Sequence, residues 1–370
     1  MIYDIKLFPP VVSICNILSD LHYEIVYIGG CTDEGIENYL TQDRCVKIYK
    51  TPNYGGNSFK RFIQQWRYRN HVLSLLKKEY VEGETYLWLL HSETVSLFSG
   101  LLGKYDVIAH LFEFKNPDEK IAYRLLSPFS SFGTRLKLAT KVICCEYNRA
   151  CITKSIYNLN NVPYILPNKP YNSSVAETIS MPSSIRELLS KYVGKKIILY
   201  QGVFIPERRV DYFIKAINSL PDEYVLFLMG GESKFYNELK NNYQSERVVF
   251  LPFLPPPLHL EITKLAHIGI LVYVVNGEPI NRAINVLYCA PNKLYEYSMF
   301  GIPMISNDLP ALKYAFTLNE AGLCMNTLSE KEIKDTILEI SGNYEKYSEA
   351  SIRLYNSIDM VDIIKNILVD

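Results

Sequence analysis

The chain has 370 residues, of which 48% are hydrophobic and 21% are charged, and this composition excludes a mainly disordered protein. Its length predicts roughly two to three domains with sizeable cores. Its 39 lysines and arginines equal its 39 aspartates and glutamates, which excludes a global positive field that would favour nucleic acids. Any site for an anion must therefore be local.

The eight cysteines show no Cys-x-x-Cys spacing, and they match neither a disulfide framework nor a zinc site. We interpret them as reduced cysteines of a protein core. The first ten residues contain no basic stretch followed by a long apolar one, so no signal peptide is evident. No run approaches roughly 18 consecutive apolar residues, which excludes a membrane-spanning helix. We therefore expect a cytoplasmic protein.

The first half of the chain alternates strand and helix patterns. A strand at 1–7, a turn at Phe8-Pro9-Pro10, a helix at 11–21 and a strand at 24–28 predict a βαβ opening and hence a parallel sheet. Further apolar runs predict strands at 45–49, 85–90, 105–112 and 141–145. The polar, serine-rich stretch at 171–181 predicts a linker.

The segment 58–80 shows the longest helical pattern of this half, and Ser58 can cap it. Its mostly apolar stripe consists of Phe59, Phe62, Ile63, Trp66, Asn70, Leu73 and Leu76, and its basic residues are Lys60, Arg61, Arg67, Arg69, Lys77 and Lys78. Two interpretations stay open. The segment is either an ordinary packing helix with a solvated basic face, or a helix that lies on an anionic membrane surface.

Acidic and histidine side chains lie near or just after the ends of the predicted strands at 85–90, 105–112 and 141–145. They are His91, Glu93, His110, Glu113 and Glu146. Because the carboxyl ends of parallel strands meet at one edge of a sheet, these residues are candidates for a common site. A single histidine at a strand end is more often structural.

The second half repeats the alternation, with predicted strands at 196–201, 224–229, 248–251 and 268–274 and glycine turns at Gly202 and Gly230. The stretch APNKLYEYSMFGIPMISNDL, at 290–309, predicts a short helix that is stopped by Gly301 and followed by a buried strand. The amides at the start of this helix, at 292–294, are a candidate cradle for phosphate. Glu296 can accept two ribose hydroxyls, or it only complements the helix dipole.

The pattern P-x-K-L-x-E-Y followed by G-x-P-x-I/V-x-x-D resembles the donor-site segment of the family 4 retaining glycosyltransferases. The segment GVFIPERRVDYFIKAI resembles the same family's G-R-L-x-x-x-K-G-x-D-x-L-I-x-A. Two departures are Tyr288, where many members have a first glutamate, and Val203, where the family has an arginine. The resemblance covers roughly 195–325 well and the first half only in outline.

This resemblance implies the GT-B fold, an α/β architecture with two Rossmann-like domains that face each other across a cleft. The implied N-terminal acceptor domain is 1–170, the linker 171–194 and the donor domain 195–354. A final helix at about 355–370 is expected to pack back on the first domain.

The resemblance also implies roles for individual residues. Glu296 would hold the ribose, Arg208 would bind the diphosphate in place of the family's lysine, and Arg209 would partly replace the missing cation. The implied donor-binding residues are Gly202, Arg208, Arg209, Gly230, Phe253, Leu254, Asn292, Lys293, Leu294 and Glu296. The implied catalytic residues are His110, Glu113 and Arg208, and the implied acceptor-binding residues are His91 and Glu146. The loop at 275–289 would cover the sugar.

The expected activity is transfer of a sugar from a nucleoside-diphosphate sugar, UDP- or GDP-linked, to an acceptor hydroxyl with retention of configuration. The expected setting is a hexosyltransferase-type step of surface-polysaccharide assembly on a glycan or lipid-linked saccharide, with peripheral membrane contact through 58–80 and neither metal nor cofactor. Two alternatives are a catalytically degenerate GT-B subunit that binds a partner transferase and a GT-B epimerase or phosphorylase. A dinucleotide-dependent oxidoreductase is disfavoured because no G-x-G-x-x-G follows a strand.

Overall fold

The computed structural model describes residues 1–52, 58–116, 132–171, 181–275, 277 and 279–369, with the side chains at 43 and 58–62 not described. The predicted linker start at 172–180 and Glu278 of the predicted sugar loop lie outside these residues. The chain divides into two compact units. Unit 1 comprises Met1–Tyr171, Pro279–Asn285 and Met360–Asp370, and unit 2 comprises Asn172–Glu278 and Val286–Asp359.

Unit 1 contains parallel strands. These are β1 (Val26–Gly29), β2 (Lys47–Lys50), β3 (Leu87–Leu90), β4 (Val107–Leu111), β5 (Lys141–Cys144) and β6 (Tyr164–Ile165). β1 pairs with β2, and β3 to β6 form a second sheet in chain order. The helices of this unit are Pro9–Asp20, Glu34–Asn38, Ser58–Glu79, Ser92–Leu97, Phe132–Arg135, Tyr147–Tyr157 and Met360–Val369. Short 3-10 turns lie at Ile5–Leu7, Ser99–Leu101 and Leu136–Leu138, and a π-helical turn at Tyr39–Asp43.

The predicted first strand at 1–7 is wrong. Only Asp4 forms a bridge, to Gly30, and its buried carboxylate accepts hydrogen bonds from the amides of Lys6 at 3.1 Å and Thr32 at 3.0 Å. These bonds turn the chain into a 3-10 turn instead of a strand. Pro9 and Pro10 open the following helix, Pro9–Asp20, because proline's missing amide hydrogen is not needed in the first helical turn.

The helix Ser58–Glu79 buries one side and exposes the other. Tyr68 and Leu76 lie in the core of unit 1. Trp66 was predicted to belong to the apolar stripe, but its side chain is 49% exposed. Arg67, Lys77 and Lys78 are also exposed. The described part of this helix therefore presents a tryptophan and three cations to solvent.

The C-terminal helix Met360–Val369 belongs to unit 1. Ile364 and Ile367 are fully buried. The hydroxyl of Tyr86 donates a hydrogen bond of 3.1 Å to the carbonyl oxygen of Leu368, and the ammonium of Lys141 donates to the carbonyl oxygen of Ile367. Both donors bond to carbonyls in the last turn of the helix, where intrahelical partners are lacking.

The described part of unit 2 contains one parallel sheet with the order β12-β11-β10-β7-β8-β9. Its strands are β7 (Lys196–Gln201), β8 (Tyr224–Met229), β9 (Val248–Leu251), β10 (Ala266–Leu271), β11 (Met304–Asn307) and β12 (Gly322–Met325). Its helices are Ser183–Ser190, Val210–Ile217, Lys234–Tyr243, Leu260–Thr263, Asn292–Met299, Pro310–Asn319, Glu330–Gly342 and Tyr344–Asn356, with a 3-10 turn at Pro206–Arg208. Read from β9 to β12, this is the strand order of the Rossmann fold.

Three strands of this sheet, β7, β8 and β9, have the predicted bounds, because buried strands read as continuous apolar runs. All six residues of β8 are buried. The strand β10 starts two residues earlier than predicted, since Ala266 pairs with Ile197 of β7, and it ends three residues earlier, at Leu271. The preceding helix is therefore only Leu260–Thr263.

The predicted sugar loop at 275–289 contains a helix, Ile280–Leu287. The boundary between the units falls inside this helix, after Asn285. The side chain of Asn285 accepts a hydrogen bond from the Phe114 amide at 2.7 Å and donates one to the Phe114 carbonyl oxygen at 2.9 Å. These two bonds explain why this short segment belongs to unit 1.

Candidate functional site

The candidate site lies in unit 2, where the strand order reverses. β7 and β10 are neighbours at the centre of the sheet, and the chain leaves them in opposite directions across it. Ligands of open α/β sheets bind beyond the carboxyl ends of the strands at such a switch point. β7 ends at Gln201 and Gly202 follows it, while Tyr273 comes two residues after β10.

The helix Asn292–Met299 begins without a side-chain cap, because its N-cap is Pro291. The amide of Leu294 donates a hydrogen bond of 3.1 Å to the carbonyl oxygen of Pro291. Contrary to the prediction, this amide is therefore not free to bind phosphate. Among the described residues, the amides of Asn292 and Lys293 have no hydrogen-bond partner. Two N–H groups and the positive end of the helix dipole thus remain available for an anion.

A tyrosine fixes this helix to the sheet. The hydroxyl of Tyr297 donates a hydrogen bond of 3.0 Å to the carbonyl oxygen of Leu199 in β7. Its fully buried ring lies against Gly269 of β10, where a Cβ atom would come within 2.3 Å of the ring. Only glycine fits at this position, and the helix N-terminus is consequently held against the switch point.

Two cations meet on one aromatic ring beside this helix. The guanidinium carbon of Arg208 lies 4.1 Å from the centroid of the Tyr273 ring, and the Lys293 ammonium lies 5.2 Å from the same centroid. The ammonium also lies 4.5 Å from the Tyr200 ring. Within the described part of the chain, neither cation forms an ion pair with a carboxylate. Burial, followed by the charge of Arg208, lowers the pKa of Lys293 to about 7.

The turn after β7 depends on two glycines. Gly202 has φ +133°, and a Cβ there would come within 3.7 Å of the Lys293 ammonium. A Cβ on Gly230, which follows β8, would lie only 2.1 Å from the carbonyl oxygen of Gly202. The two turns therefore pack backbone against backbone, and both glycines lie beside the predicted donor site.

Glu296 is 4% exposed, and both of its carboxylate oxygens have protein partners. Oε2 accepts a hydrogen bond of 2.6 Å from the side-chain amide of Gln201. Oε1 lies 3.1 Å from Nε2 of His259. The hydroxyl of Thr263 in turn lies 2.8 Å from Oε1 of Gln201. These contacts compensate the burial of the charge without a ligand.

The other predicted donor-site residues differ in their surroundings. Arg209 lies 3.4 Å from the carboxylate of Asp211 and stacks on the ring of Tyr212, so unlike Arg208 it has a carboxylate partner among the described residues. Phe253 is 45% exposed and available to pack on a base, whereas Leu254 is buried in the core. Leu254 can thus contribute to the site only through its backbone.

The predicted histidines of unit 1 lie close together but are buried. His110 lies within β4, 1% exposed, with Nε2 3.7 Å from the sulfur of Cys145. Burial lowers its pKa to about 3. His91 caps the helix Ser92–Leu97 with φ +78° and packs against Tyr3 and Phe8, and burial lowers its pKa also. Uncharged and inaccessible rings of this kind favour structural roles.

The two predicted glutamates of unit 1 have different environments. Glu146 caps the helix Tyr147–Tyr157, accepting from the Arg149 amide at 2.8 Å and the Asn148 side chain at 2.7 Å. Its carboxylate is therefore occupied locally. Glu113 follows β4 and is exposed. Glu113 is thus the predicted unit 1 residue best placed to meet a substrate.

Five site residues were not predicted: Tyr200, Gln201, His259, Thr263 and Tyr273. The one local signal is Gln201, a polar residue at the end of an otherwise apolar strand. The other four lie in the site only because of the order of the strands in the sheet, and the sequence pattern does not predict that order.

Two further observations concern metals and membranes. Among the described residues, no group of three His, Cys, Asp or Glu side chains is arranged to hold a metal ion. No helix in the described ranges is both long enough and apolar enough to span a bilayer.

Comparisons with known proteins agree with the strand order. Residues 183–356, slightly under half of the chain, match the model of the family described as Glycosyl transferases group 1. No curated protein matches the chain. HepE of Anabaena, solved in complex with UDP-glucose, is similar with a TM-score of 0.68 and 13% identity over 97% of this chain and 94% of that chain.

Two other solved structures are similar over nearly the full chain. WaaG, a glycosyltransferase involved in lipopolysaccharide biosynthesis, gives a TM-score of 0.63 and 13% identity over 99% of this chain and 97% of that chain. A Listeria monocytogenes protein, described as a putative UDP-N-acetylglucosamine 2-epimerase, gives a TM-score of 0.62 and 10% identity over 99% of this chain and 93% of that chain. At these identities the similarity establishes the fold, and the predicted α/β GT-B class is confirmed.

Proposed function

We propose that the protein is a glycosyltransferase that takes its sugar from a nucleoside-diphosphate sugar bound at the switch point of unit 2. One observation carries the proposal. Arg208 and Lys293 meet on the Tyr273 ring beside an uncapped helix N-terminus, with no carboxylate partner among the described residues. Two adjacent cations in a partly desolvated site fit a diphosphate.

The remaining features of the site support the same ligand. Glu296 lies about one helical turn after the free amides, and its carboxylate can accept hydroxyl groups of a ribose attached to the diphosphate. The exposed ring of Phe253 provides a surface for the base. The match of residues 183–356 to group 1 glycosyl transferases supports a sugar nucleotide over other diphosphates. The UDP-glucose complex of HepE supports UDP as the first nucleotide to test.

In the proposed reaction, the bond between the anomeric carbon and the donor phosphate oxygen breaks, and its electron pair leaves with the diphosphate. The acceptor oxygen forms a new bond to the same carbon with retention of configuration. The acceptor proton goes to the leaving phosphate. Arg208, Lys293 and the helix N-terminus stabilise the charge that develops on the diphosphate.

We further propose that the acceptor is a glycan or lipid-linked saccharide of surface-polysaccharide assembly, reached at the membrane surface. The exposed face of the helix Ser58–Glu79, with Trp66 beside Arg67 and with Lys77 and Lys78 about three turns further along, supports a peripheral contact with anionic lipid. The involvement of WaaG in lipopolysaccharide biosynthesis supports the same setting.

An epimerase is the second candidate, and the Listeria protein favours it. Nuclear magnetic resonance of each UDP- and GDP-sugar incubated with the protein separates the two. A glycosyltransferase transfers the sugar to water or to an added acceptor and releases the nucleoside diphosphate, and the first-formed sugar keeps its anomeric configuration. An epimerase changes the sugar without such release. Nucleotide binding with neither outcome would favour the degenerate subunit.

A further inference from the structure

The Glu296 carboxylate is held from two sides by side chains outside the motifs that led to it. Gln201 ends β7, and His259 immediately precedes the helix Leu260–Thr263. They donate to different oxygens, at 2.6 Å to Oε2 and 3.1 Å to Oε1. Gln201 belongs to the sheet itself, and the helix that follows His259 is hydrogen-bonded to Gln201 through Thr263, so the plane of the carboxylate is fixed by the fold.

The chemistry of the carboxylate sets the direction of each bond. An ionised carboxylate only accepts, so Nε2 of His259 must carry its proton and, in the neutral ring, Nδ1 carries none. Nδ1 is buried and has no hydrogen-bond partner among the described residues. The same rule turns the amide nitrogen of Gln201 towards Glu296. Thr263 then donates its hydroxyl hydrogen to the amide oxygen.

This arrangement leaves acceptor capacity on both oxygens. Each carboxylate oxygen has two lone-pair directions, and the protein uses one on each. The two that remain belong to different oxygens of one rigid group. A vicinal diol, with two hydroxyl donors on adjacent carbons, matches such a pair.

We propose that His259, together with Gln201, is a positioning residue that orients Glu296 for the ribose diol of the nucleotide. The inference rests on the function proposed above and adds a residue to it. His259 acts through Glu296 rather than on the reacting atoms. Its removal should therefore reduce the preference for a ribose over a ribose that lacks both hydroxyls, while leaving affinity for the latter unchanged.

Two variants distinguish the effect of losing the hydrogen bond to Glu296 from the effect of losing the packed ring. His259→Gln keeps an amide nitrogen near the position of Nε2, whereas His259→Phe keeps a ring and removes the donor. Calorimetry would measure the dissociation constants of UDP, GDP, CDP and ADP and of their 2′,3′-dideoxy counterparts. For the base that binds, we expect His259→Phe to reduce the ribose preference about tenfold. His259→Gln should restore most of it, and Glu296→Ala should abolish it.

The contradicting results are distinct. An equal loss of affinity for both members of a pair in His259→Phe would make His259 a purely structural residue. Unchanged affinities for both members of a pair in His259→Phe would overturn the positioning role and leave the proposed function standing. No binding of any nucleoside diphosphate by the native protein would overturn both.

A measurement without ligand tests the tautomer directly. The ring nitrogens of the six histidines can be recorded by ¹⁵N-labelled histidine nuclear magnetic resonance at about pH 8, where ordinary histidines are neutral. The signal missing from His259→Gln identifies His259. In the native protein we expect His259 to be the tautomer that is protonated at Nε2. In Glu296→Ala we expect a mixture of both tautomers. A ring protonated at Nδ1 would overturn the inference.

Discussion

The guanidinium carbon of Arg208 lies 4.1 Å from the centroid of the Tyr273 ring. This contact holds the cation over an aromatic face, where the ring attracts it but cannot neutralise it. Lys293 lies on the same ring, so two like charges share a small volume. A site that keeps two cations together is prepared for an anion with at least two charges.

Arg208→Ala should weaken binding of a nucleoside diphosphate by about 10- to 100-fold, the usual worth of a charge-assisted hydrogen bond. Binding of the bare nucleoside should change little. Arg209→Ala is the matched control, because Arg209 pairs with Asp211 instead. Calorimetry with both ligands measures the difference. Equal losses for nucleoside and diphosphate would remove Arg208 from the phosphate site.

Binding of the sugar nucleotide should depend on pH through Lys293. Its pKa of about 7 in the free protein rises when a diphosphate lies against it, so the complex binds one more proton between the two pKa values. Affinity should therefore be highest below about pH 7 and should fall as the pH rises above it. A sugar nucleotide is the suitable probe because its diester phosphates do not titrate there.

Lys293→Arg provides the control for this pH dependence, since arginine stays charged throughout. Its dissociation constant should be nearly constant over the same range. A native protein with equally flat affinity would show that the ammonium does not contact the bound diphosphate.

The packing of the two glycine turns predicts a large difference between neighbouring substitutions. Gly230→Ala places a methyl group 2.1 Å from the carbonyl oxygen of Gly202, and overpacking against backbone costs about 1–3 kcal/mol or more. Gly231→Ala meets nothing within 4 Å and should be neutral. Thermal unfolding measures both. Similar melting temperatures for the two variants would contradict the described approach of the turns.

The exposed face of the helix Ser58–Glu79 predicts electrostatic membrane binding. The triple variant Arg67→Glu, Lys77→Glu and Lys78→Glu should lose sedimentation with vesicles that contain anionic lipid, and binding of the native protein should fade with salt. The control is a second triple variant with the same change of net charge at exposed lysines of unit 2: Lys191→Glu, Lys195→Glu and Lys215→Glu. If both triple variants lose vesicle binding equally, or if binding does not depend on salt, this helix face is not the membrane-binding surface.

Sequence patterns were most informative where burial alone determines the structure. β7, β8 and β9 have their predicted bounds because each is an apolar run, and Gly301 ends its helix with φ +65° as expected. At the N-terminus, the side chain of Asp4 overrides an apolar pattern. Such a local competition is decided by contacts with Thr32 that no periodicity reveals.

The candidate site was predicted only in part, for a related reason. Glu296 and Arg208 stand in recognisable motifs, but Gln201, His259 and Tyr273 become neighbours of them only when β7 and β10 pair. His110 illustrates the opposite case. Its place near the end of a predicted strand made it a site candidate, whereas in the structure it is 1% exposed within β4.

The most direct test of the account is a calorimetric titration of the native protein and Glu296→Ala with UDP, GDP, CDP and ADP. The account predicts that the native protein binds one of them and that Glu296→Ala binds it markedly more weakly, since the ribose would lose its carboxylate. Melting temperatures would verify that the variant is folded. Failure of the native protein to bind any of the four would contradict the proposed nucleotide site.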